Sequence, residues 1–79
     1  MIHEREARLE AIFREVFALP DGTSVRTLRQ INLPAWDSLG HVTLMAALEG
    51  EFGLVLDTSE MLGLTSFEAV RLLLQEKLP

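Results

Sequence analysis

Leu33-Pro34-Ala35-Trp36-Asp37-Ser38-Leu39 is the stretch around which this chain is organised. Pro34 favours an extended conformation at Leu33. It helps deliver Trp36 to the start of an apolar helical run from Ser38 to about Phe52. A serine on the first turn of a helix presents its hydroxyl beside unpaired backbone N–H groups and the positive end of the helix dipole. That setting suits a phosphate ester on the serine oxygen. Asp and Ser are also favoured N-caps, so a plain capping role for Asp37 or Ser38 competes with it. On the tripeptide Asp37-Ser38-Leu39 alone the cap is the commoner arrangement. The surrounding chain changes the balance.

The run that follows Ser38 has two apolar stripes. Leu44, Leu48 and Phe52 share a face, flanked by Met45, and are expected in the core. Leu39, Val42 and Ala46 lie on a different side, next to Thr43 and rimmed by Glu49. A helix apolar on two sides is either enclosed or presents one side to a partner. In so small a domain, with Glu49 and Glu51 needing water, the partner reading is preferred. Gly53 suits the left-handed cap that ends this helix.

Upstream, Leu9, Ile12, Phe13, Val16 and Phe17 fall at helical spacing and predict a scaffold helix from about His3 to Ala18. Pro20-Asp21-Gly22 stops it. Residues 19–36 form a long connection anchored by Val25, Leu28, Ile31 and Leu33, with a short helical turn expected at Thr27 to Gln30. Arg26 and Arg29 are placed to meet a phosphate or carboxylate, although solvated loop arginines are commoner. Trp36 is expected as a lid on the core edge. Downstream, Leu54-Val55-Leu56 reads as an extended apolar connector. Asp57 and Glu60 resemble a capping box for a short helix through Met61 and Leu62, closed at Gly63. Thr65 and Glu68 match the same pattern and open a last helix to about Leu78, with Phe67, Val70, Leu73 and Leu74 as its core face. Lys77 falls near its negative end. The expected fold is all-α: three main helices, a short third helix and a long first loop.

At 79 residues the chain makes one domain, and its 48% hydrophobic content is that of a globular protein. A deep substrate pocket would consume much of such a core. The absence of cysteine removes disulfides, thiolate metal sites and a thiol nucleophile from the chain itself. His3 and His41 are too few and too far apart for a metal cluster. No apolar run reaches membrane-spanning length, and the opening residues read as a charged helix, so a cytoplasmic protein is expected. The net charge is −5, and no Lys or Arg occurs between Gln30 and Val70. Asp37, Glu49, Glu51, Asp57, Glu60 and Glu68 all fall in that span, an acidic half that repels nucleic acid and attracts basic partners.

The ordered whole resembles the acyl carrier protein family, the phosphopantetheine-binding carrier domains, over nearly the entire chain. The sharpest segments are Trp36-Asp37-Ser38-Leu39-Gly40-His41-Val42 and Leu48-Glu49-Gly50-Glu51-Phe52-Gly53. The resemblance implies a four-helix carrier fold. It also implies that a phosphopantetheinyl transferase moves phosphopantetheine from coenzyme A onto Ser38, leaving a long arm that ends in a thiol. Asp37 would support that transfer, around the transferase's magnesium ion. Leu39, Val42 and Ala46, with Glu49 at their rim, match the side of the family's recognition helix that meets transferases and pathway enzymes. An acyl-loading ligase or acyltransferase and downstream biosynthetic enzymes are the further partners implied. A cysteine-free chain would then handle thioesters because the thiol arrives with the cofactor. Gly40, Thr43 and Gly50 stand where fatty-acid carriers usually show acidic residues, Ala46 is small for its place, and Arg26 and Arg29 occupy a loop that is often acidic. These departures imply a weaker or differently shaped fit to fatty-acid synthase enzymes, and the form Trp36-Asp37-Ser38-Leu39-Gly40-His41 looks more like free-standing carriers of polyketide, peptide or other specialised pathways.

Three rival readings stand beside the carrier. A hydrolytic enzyme would use Ser38 with His41, one turn apart, but the sequence suggests neither an oxyanion site nor a cleft, and His41 falls nearer the core stripe. An unmodified helical docking module would share the fold and the Leu39, Val42, Ala46 surface. Nucleic-acid binding lacks a basic patch. A non-catalytic monomer without nucleic-acid or membrane partners is expected.

Overall fold

The computed structural model describes residues 2–79, with side chains from Glu4 onward; the side chain of His3 lies outside the described residues. Four α-helices follow in order: α1 (Ile2–Val16), α2 (Ser38–Phe52), α3 (Thr58–Gly63) and α4 (Phe67–Lys77). A 3-10 turn at Gln30–Asn32 interrupts the long first connection. The fold is all-α, with three main helices and a short third one, as the periodicity predicts. Among the described residues the only β-type pairing is an isolated bridge between Arg29 and Ser66.

The core is one cluster drawn from α1, α2 and α4 and from the connections between helices. α1 supplies Leu9, Ile12 and Phe13, Phe17 follows just after its last turn, and α2 supplies Leu44, Met45 and Leu48. Phe67, Val70 and Leu74 come from α4, while Val25, Leu28, Trp36, Leu56 and Leu64 come from the connections. No polar side chain among the described residues is buried. Apart from the indole N–H of Trp36, this core holds no polar side-chain group, and its stability rests on packing and burial.

α1 ends two residues before the expected Ala18, and the reason is local. Leu19 N–H returns to the Arg14 carbonyl (3.0 Å) and Ala18 N–H to that of Glu15 (3.4 Å). This is a Schellman closure, and it requires Ala18 in the left-handed region at φ 50°. Glycine normally fills that position; alanine does so at a steric cost. α2 ends as expected, with Gly53 left-handed at φ 64° and its N–H bonded to the Glu49 carbonyl.

The long loop is held at both ends of its middle third. Arg14 Nη2 donates to the Thr23 carbonyl (3.0 Å). Gln30 N–H donates to the Thr65 carbonyl (2.9 Å) and Phe67 N–H to the Leu28 carbonyl (3.0 Å), clamping the loop to the α3–α4 junction. That clamp also accounts for two differences from the local sequence pattern. The helical turn forms at Gln30–Asn32 rather than at Thr27 to Gln30. The cap of α4 is Ser66, whose Oγ accepts the Ala69 N–H (3.0 Å), rather than Thr65; Thr65 lies one residue outside the helix and spends its carbonyl on the loop. Glu68, freed from a capping box, pairs instead with Arg71 (2.5 Å).

At α3 the capping box is present in both directions: Glu60 N–H to Asp57 Oδ1 (2.7 Å) and Asp57 N–H to Glu60 Oε1 (3.1 Å). Lys77 at the end of α4 pairs with Glu60 (3.0 Å) and donates to the Val55 carbonyl (3.3 Å). Leu54-Val55-Leu56 is an extended connector without strand pairing, in which Leu56 turns into the core and Val55 out to water.

Two predictions follow from these ends. Ala18→Gly is expected to raise stability by about 0.5–1 kcal/mol in urea denaturation, because relief of the left-handed strain exceeds the added unfolded-state entropy of glycine. The Asp57 N–H bond first, then Lys77, hold the Glu60 carboxyl below its ordinary range. A carboxyl lowered in the folded state contributes stability that is present above the ordinary range and is lost as pH falls through the lowered value. Thermal midpoints measured down the acid limb should therefore fall less steeply in Glu60→Gln than in the wild type.

Candidate functional site

The first turn of α2 is built by Asp37. Its backbone is extended, as an N-cap requires, and its Oδ1 accepts the Gly40 N–H (2.8 Å), while its carbonyl accepts the His41 N–H (2.8 Å). Because Asp37 takes the cap, Ser38 becomes the first residue inside the helix and its side chain is exposed. The hydroxyl is thus free of a capping duty, at the end of α2 where the helix's first N–H groups face outward. Of the two capping candidates, the structure places the cap on Asp37.

Gly40 explains how the preceding loop comes so close. A Cβ at this position would sit 2.4 Å from the Ala35 carbonyl oxygen and 3.1 Å from the Phe17 ring. The turn at Ala35-Trp36 therefore lies directly on the helix backbone, where only a hydrogen fits.

Trp36 is not a lid on the core edge. It is 2% exposed and sits inside an aromatic cluster. Phe13 meets it edge-on at 5.5 Å and 74°, Phe17 lies 5.3 Å away, and Phe67 backs Phe13 at 5.1 Å. A buried indole N–H needs an acceptor, and His41 supplies it: Trp36 Nε1 donates to His41 Nδ1 at 2.9 Å. The two ring planes are within 20° of one another, centroids 6.2 Å apart. With Nδ1 acting as acceptor, the neutral ring carries its proton on Nε2, which donates to the Met61 carbonyl at 2.7 Å. His41 therefore links the end of the long loop, the first turn of α2 and the last turn of α3. No hydrogen bond joins it to Ser38 among the described residues. Both ring nitrogens are engaged, which leaves none to act as a base toward the serine.

The second stripe of α2 is open to water. Leu39 is 76% and Val42 65% exposed, and Ala46 is exposed as well. Leu62 on α3, the residue after Met61, is also 73% exposed.

Glu49 differs from its expectation as a free rim charge. It is half-buried, and its Oε2 accepts the Leu56 N–H (2.9 Å), so it holds the α2–α3 connector. Reversing its charge changes structure as well as surface potential. The acidic half is also less bare than its composition implies: Glu51 pairs with Arg8 (2.6 Å), Glu60 with Lys77 and Glu68 with Arg71. Arg26 is taken by Glu6 (2.5 Å) and Glu10 (3.2 Å) of α1. It is a tie for the loop rather than a free cation beside Ser38.

An open groove of about 490 Å³ runs between α1 and α2, lined by Ile12, Glu15, Val16, Thr43, Ala47 and Glu51. Neither Ser38 nor His41 lines it. Among the described residues no group of three or more His, Asp or Glu side chains could hold a metal ion, and no helix is long and apolar enough to cross a membrane. Comparison with protein-family models, with curated proteins and with solved structures finds no significant match.

The close approach at Gly40 is testable. Gly40→Ala should destabilise the fold by about 1–3 kcal/mol, the usual cost of forcing volume into a packed contact. Urea denaturation followed by fluorescence reads this directly, because Trp36 is the only tryptophan.

Proposed function

We propose that this protein is a carrier of the acyl carrier type, modified with phosphopantetheine on Ser38 and holding a biosynthetic intermediate as a thioester on that arm. The observation that carries the reading is the exposed Ser38 hydroxyl at the first helical position of α2, with Asp37 taking the cap and the Asp37-Ser38-Leu39 motif around it. In the proposed modification, Ser38 Oγ attacks the pantetheine-side phosphorus of coenzyme A. The new phosphodiester forms at Oγ, adenosine bisphosphate departs, and the hydroxyl proton passes to a base of the transferase. This chain's part is to present the nucleophile; Asp37 shapes the turn and would support the transfer around the transferase's magnesium ion.

Partner recognition is assigned to Leu39, Val42 and Ala46, an apolar face immediately below the serine. Glu49 enters this surface at its edge and also braces it. Such a small exposed face suits weak docking, which allows release while the tethered arm keeps the intermediate at high effective concentration. The departures at Gly40, Thr43, Ala46 and Gly50 favour a specialised pathway over ordinary fatty-acid synthesis. The proposed partners are a phosphopantetheinyl transferase, an acyl-loading ligase or acyltransferase, and the enzymes that act on the loaded intermediate.

An unmodified docking module is the second reading, favoured by the same exposed stripe. The two differ only at Ser38. Intact mass and peptide mapping after incubation with coenzyme A and a broad-specificity transferase should find one phosphopantetheine, on Ser38. Ser38→Ala should keep the helical circular dichroism and take none. Modified protein recovered from that variant, or a folded wild type that several transferases leave untouched, would refute the carrier assignment.

A further inference from the structure

The geometry points to His41 as a positioning residue for Ser38, an inference that rests on the carrier reading above. The Trp36 Nε1 to His41 Nδ1 bond joins side chains five residues apart and closes a ring whose other members are Asp37, Ser38, Leu39 and Gly40. Ser38 lies within that ring. One side of it is anchored by the indole, fixed among Phe13 and Phe17. The other is anchored on α3 through His41 Nε2 and the Met61 carbonyl. Inside the ring, the Asp37 cap on Gly40 removes further freedom from the same turn.

The consequence is chemical as well as structural. A serine attacking a phosphorus atom held by another protein needs its Oγ in one place relative to the docked surface, and each loosened contact lowers the fraction of productive encounters. Ser38 itself is exposed. Its position is therefore set by the backbone of residues 36–41, and the Trp36–His41 bond is the side-chain contact that spans that backbone. His41 acts through the turn and touches neither the phosphate nor the arm.

Two substitutions separate its two bonds. His41→Asn keeps an acceptor near the Nδ1 position and loses the reach to Met61. His41→Gln keeps a donor near Nε2 and loses the acceptor for Trp36. His41→Ala loses both, and Trp36→Phe removes the donor from the opposite side. Each variant would be checked for folding by circular dichroism, then assayed with coenzyme A and a broad-specificity transferase for kcat and KM. Loss of one hydrogen bond's worth of ordering predicts a fall of about tenfold in kcat for His41→Gln, His41→Ala and Trp36→Phe. KM should stay within about twofold of the wild type, because Leu39, Val42 and Ala46 are unchanged. His41→Asn, which keeps the bond that closes the ring, should retain more of kcat than His41→Gln or His41→Ala. Trp36 emission should shift to the red in His41→Gln and His41→Ala and remain in place in His41→Asn. Equal kcat across the folded variants, a loss confined to KM, or His41→Asn falling as far as His41→Ala would overturn the positioning role and leave the carrier reading standing. A wild type that accepts no phosphopantetheine would remove the reading beneath it.

Discussion

Burial of the Trp36 indole is the constraint on which the rest of this structure depends. Its rings fill the space between α1 and the entry to α2, where Phe13 and Phe17 surround it. An aromatic side chain contributes more buried apolar area than any other single residue can in so small a core. Burial also strands one N–H, and an unpartnered N–H in such a place costs as much as a hydrogen bond is worth. His41 resolves that need from one turn inside α2, and its second nitrogen then fixes α3. One packing decision thereby sets the loop, the helix start and the short third helix.

The long first loop shows how a domain with few core residues keeps the whole connection from Phe17 to Asp37 in order. Val25 and Leu28 turn into the core. The backbone between them and the 3-10 turn pairs with the α3–α4 junction, and Arg26 reaches two carboxylates of α1. Exposed ion pairs of this kind contribute little alone. Their use here is positional, because they close the loop over Phe67, above which the Arg26 guanidinium lies 5.7 Å from the ring centroid.

In the proposed carrier role these features serve a single exposed hydroxyl. Asp37 satisfies the helix end so that Ser38 need not, and Gly40 lets the loop lie flat against the helix. The apolar face of Leu39 and Val42 begins one residue after the serine. A docking surface and a modification site that share one helical turn move together, which keeps the distance between them constant when a partner binds.

The sequence by itself determined the helices and most of the core. The 3.6-residue spacing of Leu9, Ile12, Phe13 and of Leu44, Leu48 is a local signal, and Asp57 with Glu60 or Gly53 acts within a few residues. The exposed serine at the head of α2 was legible for the same reason. Other features depended on partners distant in the chain. Ser66 rather than Thr65 caps α4 because the Thr65 carbonyl is drawn to Gln30, and Arg26 is bound by residues of α1. Glu49 turns from a rim charge into a brace because Leu56 N–H folds back on it. His41 looks like a helix-edge polar residue in any helical projection. Only the tertiary structure decided its role, because the acceptor for a buried indole and the donor for a carbonyl on α3 are brought together by packing.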